Sequence, residues 1–346
     1  MTTMERRLGF RRIFAVLGFC AGLYFAQPGG AAAAPLRVQV MPGNFASLQV
    51  YIGASQGFYK KEGLDVELIK IANGPQANSA LVSKSVDVIM NMPDNMILLK
   101  HRGVDTVAVV GDAVQYPFFL IERKGAGLPA GGAYAPLVKG LKGKTIGVYG
   151  LGSSTDRFVR QLGLGAGVLD ADLNRVAMGG PAQAVSGLVA GKLDMVVDVL
   201  STGILVEQMG IGQRVLDCSD PVAKCPSSIT EGGKTSLAYF TTKDFLAENA
   251  DTMRKFVRAQ QKVDAWMHDP ANRGALVAEL KKVLPVPTIA DPEKYYAAVA
   301  DRAVSFFGVS VSLKALEAIQ QGLLDTGEVP RALPLADMVW AEAPKP

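Results

Sequence analysis

Gly143–Leu162 reads GKTIGVYGLGSSTDRFVRQL, and the fold is read outward from it. Thr145–Tyr149 is a β-rich apolar run that reads as a buried strand. Gly150-Leu151-Gly152 follows as a tight turn. Ser153, Ser154 and Thr155 then stand where a helix N-cap belongs, ahead of the apolar-periodic Phe158, Val159 and Leu162. Such a strand–turn–helix leaves backbone N–H groups unpaired at the positive end of the helix dipole. With three hydroxyls added, it suits a small anion or a polar head group.

The rest of the chain alternates in the same way. Strands are expected at Leu36–Met41, Leu64–Ile71, Val86–Asn91, Val104–Val110 and Phe118–Ile121. After the flexible connection Lys124–Ala135 they resume at Lys144, near Arg175–Met178, at Leu193–Asp198, at Val215–Cys218 and at Ser236–Thr241. Helices are expected from the Pro42-Gly43-Asn44 turn to about Lys61, after Asn73-Gly74-Pro75, and at Met96–His101. Past Asn249 the chain is mainly helical: Asn249–His268, Ala271–Leu284, Pro292–Ala300 and Leu313–Leu324. Short loops between alternating elements indicate parallel βαβ units, hence an α/β fold.

An internal echo divides this pattern in two. Gly74-Pro75-Gln76-Ala77…Leu81-Val82…Asp87-Val88-Ile89 returns as Gly180-Pro181-Ala182-Gln183…Leu188-Val189…Asp194-Met195-Val196 with one residue inserted. Each copy is a Gly-Pro turn, a helix and an Asp-led apolar strand, which predicts a Rossmann-like lobe in each half. Proline at the first helical position leaves neighbouring N–H groups free.

Open α/β sheets bind ligands at the carboxyl ends of their strands. Here those loops begin at Asn44-Phe45, Gly74–Gln76, Asn91–Asn95, Gly150–Thr155, Gly180–Gln183 and Asp198–Thr202, and they contain no histidine or cysteine. The candidate ligand contacts are therefore Asn44, Phe45, Gln76, Asn91, Gly152, Ser153, Ser154, Thr155, Gln183 and Asp198. Several have plain structural readings too. Ser153–Thr155 and the two glutamines could be ordinary first-turn residues, Asn91 an Asx-turn, and Asp198 a solvated strand end.

Composition limits the function classes. The 346 residues exceed one small core and imply two domains. The formal charge of +4 is concentrated in the N-terminal segment. Residues 1–34 hold Arg6, Arg7, Arg11 and Arg12 against Glu5, so the remainder has 32 bases and 31 acids. That balance gives no ground for nucleic-acid binding. The same segment reads as an export leader: a basic start, the apolar run Ile13–Ala26, then small residues with a cut near Ala33 or Ala34. The run is shorter than the roughly 20 residues that span a bilayer. Arg11-Arg12-Ile13-Phe14 also resembles a twin-arginine signal, and Cys20 fits a lipid anchor poorly because bulky Phe19 precedes it. With the leader removed, Cys218 and Cys225 remain, bracketing a Pro-containing loop. An oxidising compartment and an even count favour a disulfide over two free thiols.

Phe58-Tyr59-Lys60-Lys61-Glu62-Gly63-Leu64-Asp65-Val66-Glu67 resembles the signature of the nitrate/sulfonate/taurine and thiamine-pyrimidine-precursor substrate-binding proteins of bacterial ABC importers. Gly143–Val148 with Gly152–Thr155 is similar to the family's second landmark, and Leu323…Thr326-Gly327-Glu328-Val329-Pro330 to its usual C-terminus. The resemblance spans nearly all of the chain after the leader. It implies a type II periplasmic binding protein fold: two Rossmann-like lobes joined by two crossing strands, with a cleft between them. Those strands would be Phe118–Ile121 and Ser236–Thr241, making 35–117 and 236–346 lobe one and 118–235 lobe two. The resemblance further implies a monomer in the periplasm, a small-molecule ligand, an inner-membrane permease as partner, and no cofactor or catalysis. The Cys-rich motif of the pyrimidine-synthesising branch is absent. Among strand-end loops the nearest arginine is Arg157, one turn into its helix, so an anion would rest on N–H groups and hydroxyls. Otherwise Asp94 or Asp198 would receive a donor from a neutral ligand. Phe45, Met92 and Tyr116 suit an organic body, pointing to a sulfonate or carboxylate.

Other classes have weaker sequence support. A sensory partner that reports ligand to a membrane receptor would need the same cleft. Gly53-Ala54-Ser55-Gln56-Gly57 fits G-x-S-x-G, but it falls inside a helix rather than at a strand-to-helix elbow. Gly147, Gly150 and Gly152 reverse the dinucleotide fingerprint, with Asp170 and Asp172 about 20 residues on. Two histidines and two cysteines without ligand spacing offer no metal site.

Overall fold

The computed structural model describes residues 34–128, 133–286 and 289–346. The leader, its cleavage point and Cys20 lie outside the described residues, as do 129–132 of the Gly-rich connection. From Ala34 onward the chain forms one compact unit. No helix among the described residues is long and apolar enough to cross a membrane.

Ten strands carry the architecture: β1 (Leu36–Val40), β2 (Val66–Lys70), β3 (Ile89–Asn91), β4 (Thr106–Ala113), β5 (Phe118–Arg123), β6 (Thr145–Val148), β7 (Asn174–Ala177), β8 (Met195–Val199), β9 (Gly212–Asp217) and β10 (Leu237–Thr242). In the first half, β1 and β2 pair in parallel, and a Val38–Val88 bridge joins them to β3-β10-β4. In the second half the order is β7-β6-β8-β5-β9. The two orders correspond strand for strand. Each half has three parallel-type strands, then one antiparallel strand inserted beside the third (β10 in the first sheet, β5 in the second). The inserted strand is in each case the first one the chain makes after arriving from the other half. The two segments expected to carry the crossing are thus β5 and β10, and each is wholly absorbed by the sheet it enters. The result is a two-lobed, open-sheet α/β fold.

Burial explains the elements. β4 and β8 are buried along their whole lengths, as near-continuous apolar runs require. Ala250–His268 buries Met253, Phe256, Val257, Gln260, Val263 and Met267, one helical stripe. The long first helix read from the sequence is broken. A 3-10 turn at Phe45–Ser47 leads into Leu48–Ser55, and Phe58–Lys61 restarts after Gly57, whose φ of 72° only glycine adopts readily. Cys218 and Cys225 are bonded, with their Cα atoms 5.6 Å apart, in the loop that follows β9.

Candidate functional site

The strand-end loops of both sheets meet at one cavity. After β6, Gly152 takes φ +76°, and Ser153 is extended and accepts the Asp156 N–H at 3.4 Å. Thr155 Oγ1 accepts the Tyr149 N–H at 2.9 Å and lies 2.8 Å from Ser153 Oγ. The Arg157 N–H goes to the Ser153 carbonyl, so the Ser154 and Thr155 N–H groups are the ones the helix start leaves over. Across the cavity, Asn73 caps Gly74–Val82 through its side chain to the Gln76 N–H at 3.0 Å. The Gly74 N–H is left over there, and Pro75 has none. After β3, Asn91 Oδ1 accepts the Met92 N–H and Asn95 Nδ2, both at 2.9 Å, while its own amide donates to Asn78 Oδ1.

The cavity encloses about 50 Å³. Asn44, Asn73, Asn91, Asn95, Tyr149 and Ser153–Thr155 form its polar wall; Met41, Met92, Pro117, Phe118, Val199 and Leu237 form its apolar one. No lining side chain carries a charge. Tyr149 stands at the centre of a short relay, its hydroxyl donating to Asp198 Oδ1 at 2.8 Å and accepting from Asn44 Nδ2 at 3.4 Å. Burial, with Asp198 adding to it, pushes the Tyr149 phenol well above its ordinary value, so it stays a neutral donor. Burial also raises Asp198 to about 6, against the opposing pull of Tyr149, the Val199 N–H and Thr202.

Of the ten candidate contacts, Asn44, Asn91, Ser153, Ser154 and Thr155 line the cavity. Five do not. Phe45 is fully buried against Phe306 and Phe307, with ring centroids 5.3 and 5.0 Å away, so it anchors Asn44 from behind. Gln76 and Gln183 are exposed at their helix starts. Gly152 shapes the turn. Asp198 lies directly behind Tyr149 and is a fully buried strand end rather than a solvated one. Tyr116 packs on Phe118 and Phe158, leaving Phe118 as the aromatic wall of the cavity. Asp94 is already committed, as described below. Sequence reasoning missed Met41, Asn73, Phe118 and Tyr149. The signal for Tyr149 was a hydroxyl-bearing aromatic at the end of a parallel strand.

The residues of the hydrolase and dinucleotide readings lie away from this cavity. Ser55 ends its helix and donates to the Ile52 carbonyl. His101 and His268 sit at helix C-termini, and neither lines the cavity. Asp170 pairs with Arg175, and Asp172 with Lys142, so the acids of the dinucleotide reading serve surface ion pairs. No cluster of three or more metal-ligating side chains occurs among the described residues.

No curated protein matches the chain in sequence. Among solved structures it is similar to the alkanesulfonate-binding protein SsuA from Xanthomonas axonopodis pv. citri bound to MOPS. The TM-score is 0.69 at 18% identity, over 90% of this chain and 99% of that one. It is similar to the periplasmic aliphatic sulphonate binding protein SsuA from Escherichia coli (TM-score 0.68, 16% identity, 89% and 98% covered). The periplasmic nitrate-binding protein NrtA from Synechocystis PCC 6803 gives a TM-score of 0.66 at 14% identity, over 86% and 82%. At these identities the likeness shows the fold. The NMT1/THI5-like family profile matches residues 44–272, well over half of the chain and including every residue that lines the cavity except Met41. With the fold of ABC-type periplasmic binding proteins, this chain belongs to the NMT1/THI5-like family.

Proposed function

We propose that the protein is the periplasmic solute-binding component of an ABC importer, capturing a small organic anion of the sulfonate or carboxylate class and delivering it to an inner-membrane permease. The lobes would be 35–117 with 236–346, and 118–235, acting as a monomer after removal of the leader. One observation carries the reading. The starts of Gly74–Val82 and Ser154–Gly165, from opposite halves, converge on a single cavity whose other walls include Met41, Met92, Phe118 and Leu237. An anionic head can take the spare N–H groups of both helices, each charge-assisted bond contributing about 1.5–3 kcal/mol. The apolar wall suits a carbon body better than a bare inorganic ion. Only the closed arrangement offers both sets of contacts, so binding free energy selects closure.

The test is a thermal-shift panel on residues 34–346, which form one compact unit, using alkane and aryl sulfonates, aliphatic and aromatic carboxylates, nitrate and pyrimidines. A ligand at about 100 times its dissociation constant stabilises by about 2.7 kcal/mol, a shift of several degrees. A response confined to neutral pyrimidines or to nitrate would overturn the organic-anion reading.

A further inference from the structure

A second set of contacts joins the halves beside the cavity and takes no part in lining it with charge. Arg157, on the helix after β6, is 3% exposed, and every guanidinium nitrogen has an acceptor. Its Nε donates to Asp94 Oδ2 at 2.7 Å, one terminal nitrogen to the Gly152 carbonyl at 2.6 Å, and the other to Asn95 Oδ1 at 2.6 Å and Ser154 Oγ at 3.3 Å. Asp94, in the first turn after β3, is 7% exposed. Its Oδ1 accepts the Ser154 hydroxyl at 3.0 Å and the Asn95 N–H at 2.6 Å. Glu328, near the C-terminus, lies 3.7 Å from Arg157 and 2.9 Å from Arg160. Arg157 and Arg160 thus meet Asp94 and Glu328, with Asp170 a further 3.3 Å from Arg160.

We propose that Arg157 and Asp94 form a closure latch and act as positioning residues for the cavity wall. The proposal rests on the capture reading above. Asp94 and Asn95 belong to a loop of the first sheet, Arg157 and Ser154 to a loop of the second, so these bonds exist only with the halves together. The same bonds fix Ser154 and Asn95, both of which face the cavity. A buried ion pair alone is close to neutral, because desolvation offsets attraction. Here the balance shifts toward closure. Asp94 receives three hydrogen bonds and Arg157 makes four, which meets the condition under which a buried polar network rigidifies instead of costing stability. The protein therefore favours its own closed form, and a ligand entering the cavity adds to a bias already present. The latch also keeps Arg157 from meeting the solute, leaving recognition to neutral donors.

Small-angle scattering without added solute tests this independently of ligand identity. The wild type is expected to scatter as the closed form. Arg157→Met and Asp94→Leu, each stranding one buried charge, are expected to shift to a larger radius of gyration with unchanged circular dichroism. Arg157→Met with Asp94→Leu removes both charges and is expected to scatter closer to the wild type than either single variant. Asp94→Asn, which keeps the shape of the side chain, provides a milder opening should Asp94→Leu fail to fold. Identical scattering of the wild type and all folded single variants overturns the latch, as does a double variant more open than both singles. A failed solute panel with opened single variants rejects the organic-anion reading and leaves the latch standing; anion binding with unmoved scattering does the reverse.

Discussion

Each half of the molecule carries a fully buried aspartate held by a tyrosine, and a Gly-Pro helix start, yet the halves use them differently. In the first half Asp112 Oδ1 accepts the Tyr239 hydroxyl at 2.9 Å; in the second Asp198 Oδ1 accepts Tyr149 at 2.8 Å. In both, Oδ2 has no partner. Burial raises both carboxyls, but Asp112 to about 8, with Asp264 adding to the rise, and Asp198 only to about 6. The extra donors at Asp198, from the Val199 N–H and Thr202, account for its lower value. The helix starts differ in the same spirit. Asn73 caps Gly74–Val82, and Asn73, Gly74 and Pro75 reach the cavity. Gly180 offers no side-chain cap, and its helix start lines nothing there; the Ser153 cap takes that place in the second half. A repeated topology fixes where a device can stand, and a few capping and donor residues decide which copy is put to use.

The largest expected effect comes from the aspartates. Both folded values lie above the ordinary 3.8, so folding takes up protons between about pH 4 and the raised value. Stability therefore falls as pH rises through that window. Asp112→Asn should raise stability at pH 7 by about 3–4 kcal/mol and Asp198→Asn by about 2–3 kcal/mol, from 1.36 kcal/mol per pKa unit. Asp198→Asn should flatten the pH 4–6 part of the profile and Asp112→Asn the part reaching pH 8. Urea unfolding across pH 4–9 checks both, and equal profiles for the two variants would erase the distinction between the halves. Among the described residues the covalent staple lies in the second half. Cys218→Ser with Cys225→Ser should cost roughly 2.5 kcal/mol by the loop-entropy relation for so short a loop, read in the same experiment. Smaller again is the pair of glycines. A Cβ at Gly74 would stand 2.8 Å from Asn91 Oδ1, so Gly74→Ala should cost about 1–3 kcal/mol and weaken solute binding. At Gly180 it meets only Gln183 Oε1 at 3.7 Å, and Gly180→Ala should stay within about 0.5 kcal/mol with binding intact. A comparable loss at both would mean that the second Gly-Pro start is engaged after all.

The fold was largely legible because parallel strands leave continuous apolar runs and their helices begin with readable caps. Asn44 and Ser153–Thr155 were found in the site for that reason. Leu200–Gln208 was missed as a helix, since it is buried on nearly every side and so lacks a polar face to give a 3.6-residue period. Tyr134–Lys139, a helix of six residues not read from the sequence, begins within the last two residues of the Gly-rich connection. Phe45 and Phe118 show the limit from the other direction. Phe45 stands in the loop after β1 and Phe118 opens β5; Phe306 and Phe307, some 260 residues on from Phe45, hold Phe45 inward, while Phe118 walls the cavity. Arg157 and Asp94, 63 positions apart, likewise had no sequence signal for their pairing.

The placement of β10 between β3 and β4 bears on the order in which a nascent chain can mature. The second sheet uses only strands from Phe118 to Asp217, whereas the first must wait for Leu237–Thr242 to fill its middle. The half that begins the polypeptide is thus the last to close its hydrogen-bond ladder, and until then two of its strand edges stay unpaired. A chain built this way can complete its second sheet while the first still lacks its central strand, so the first sheet sets only once Thr242 has been made.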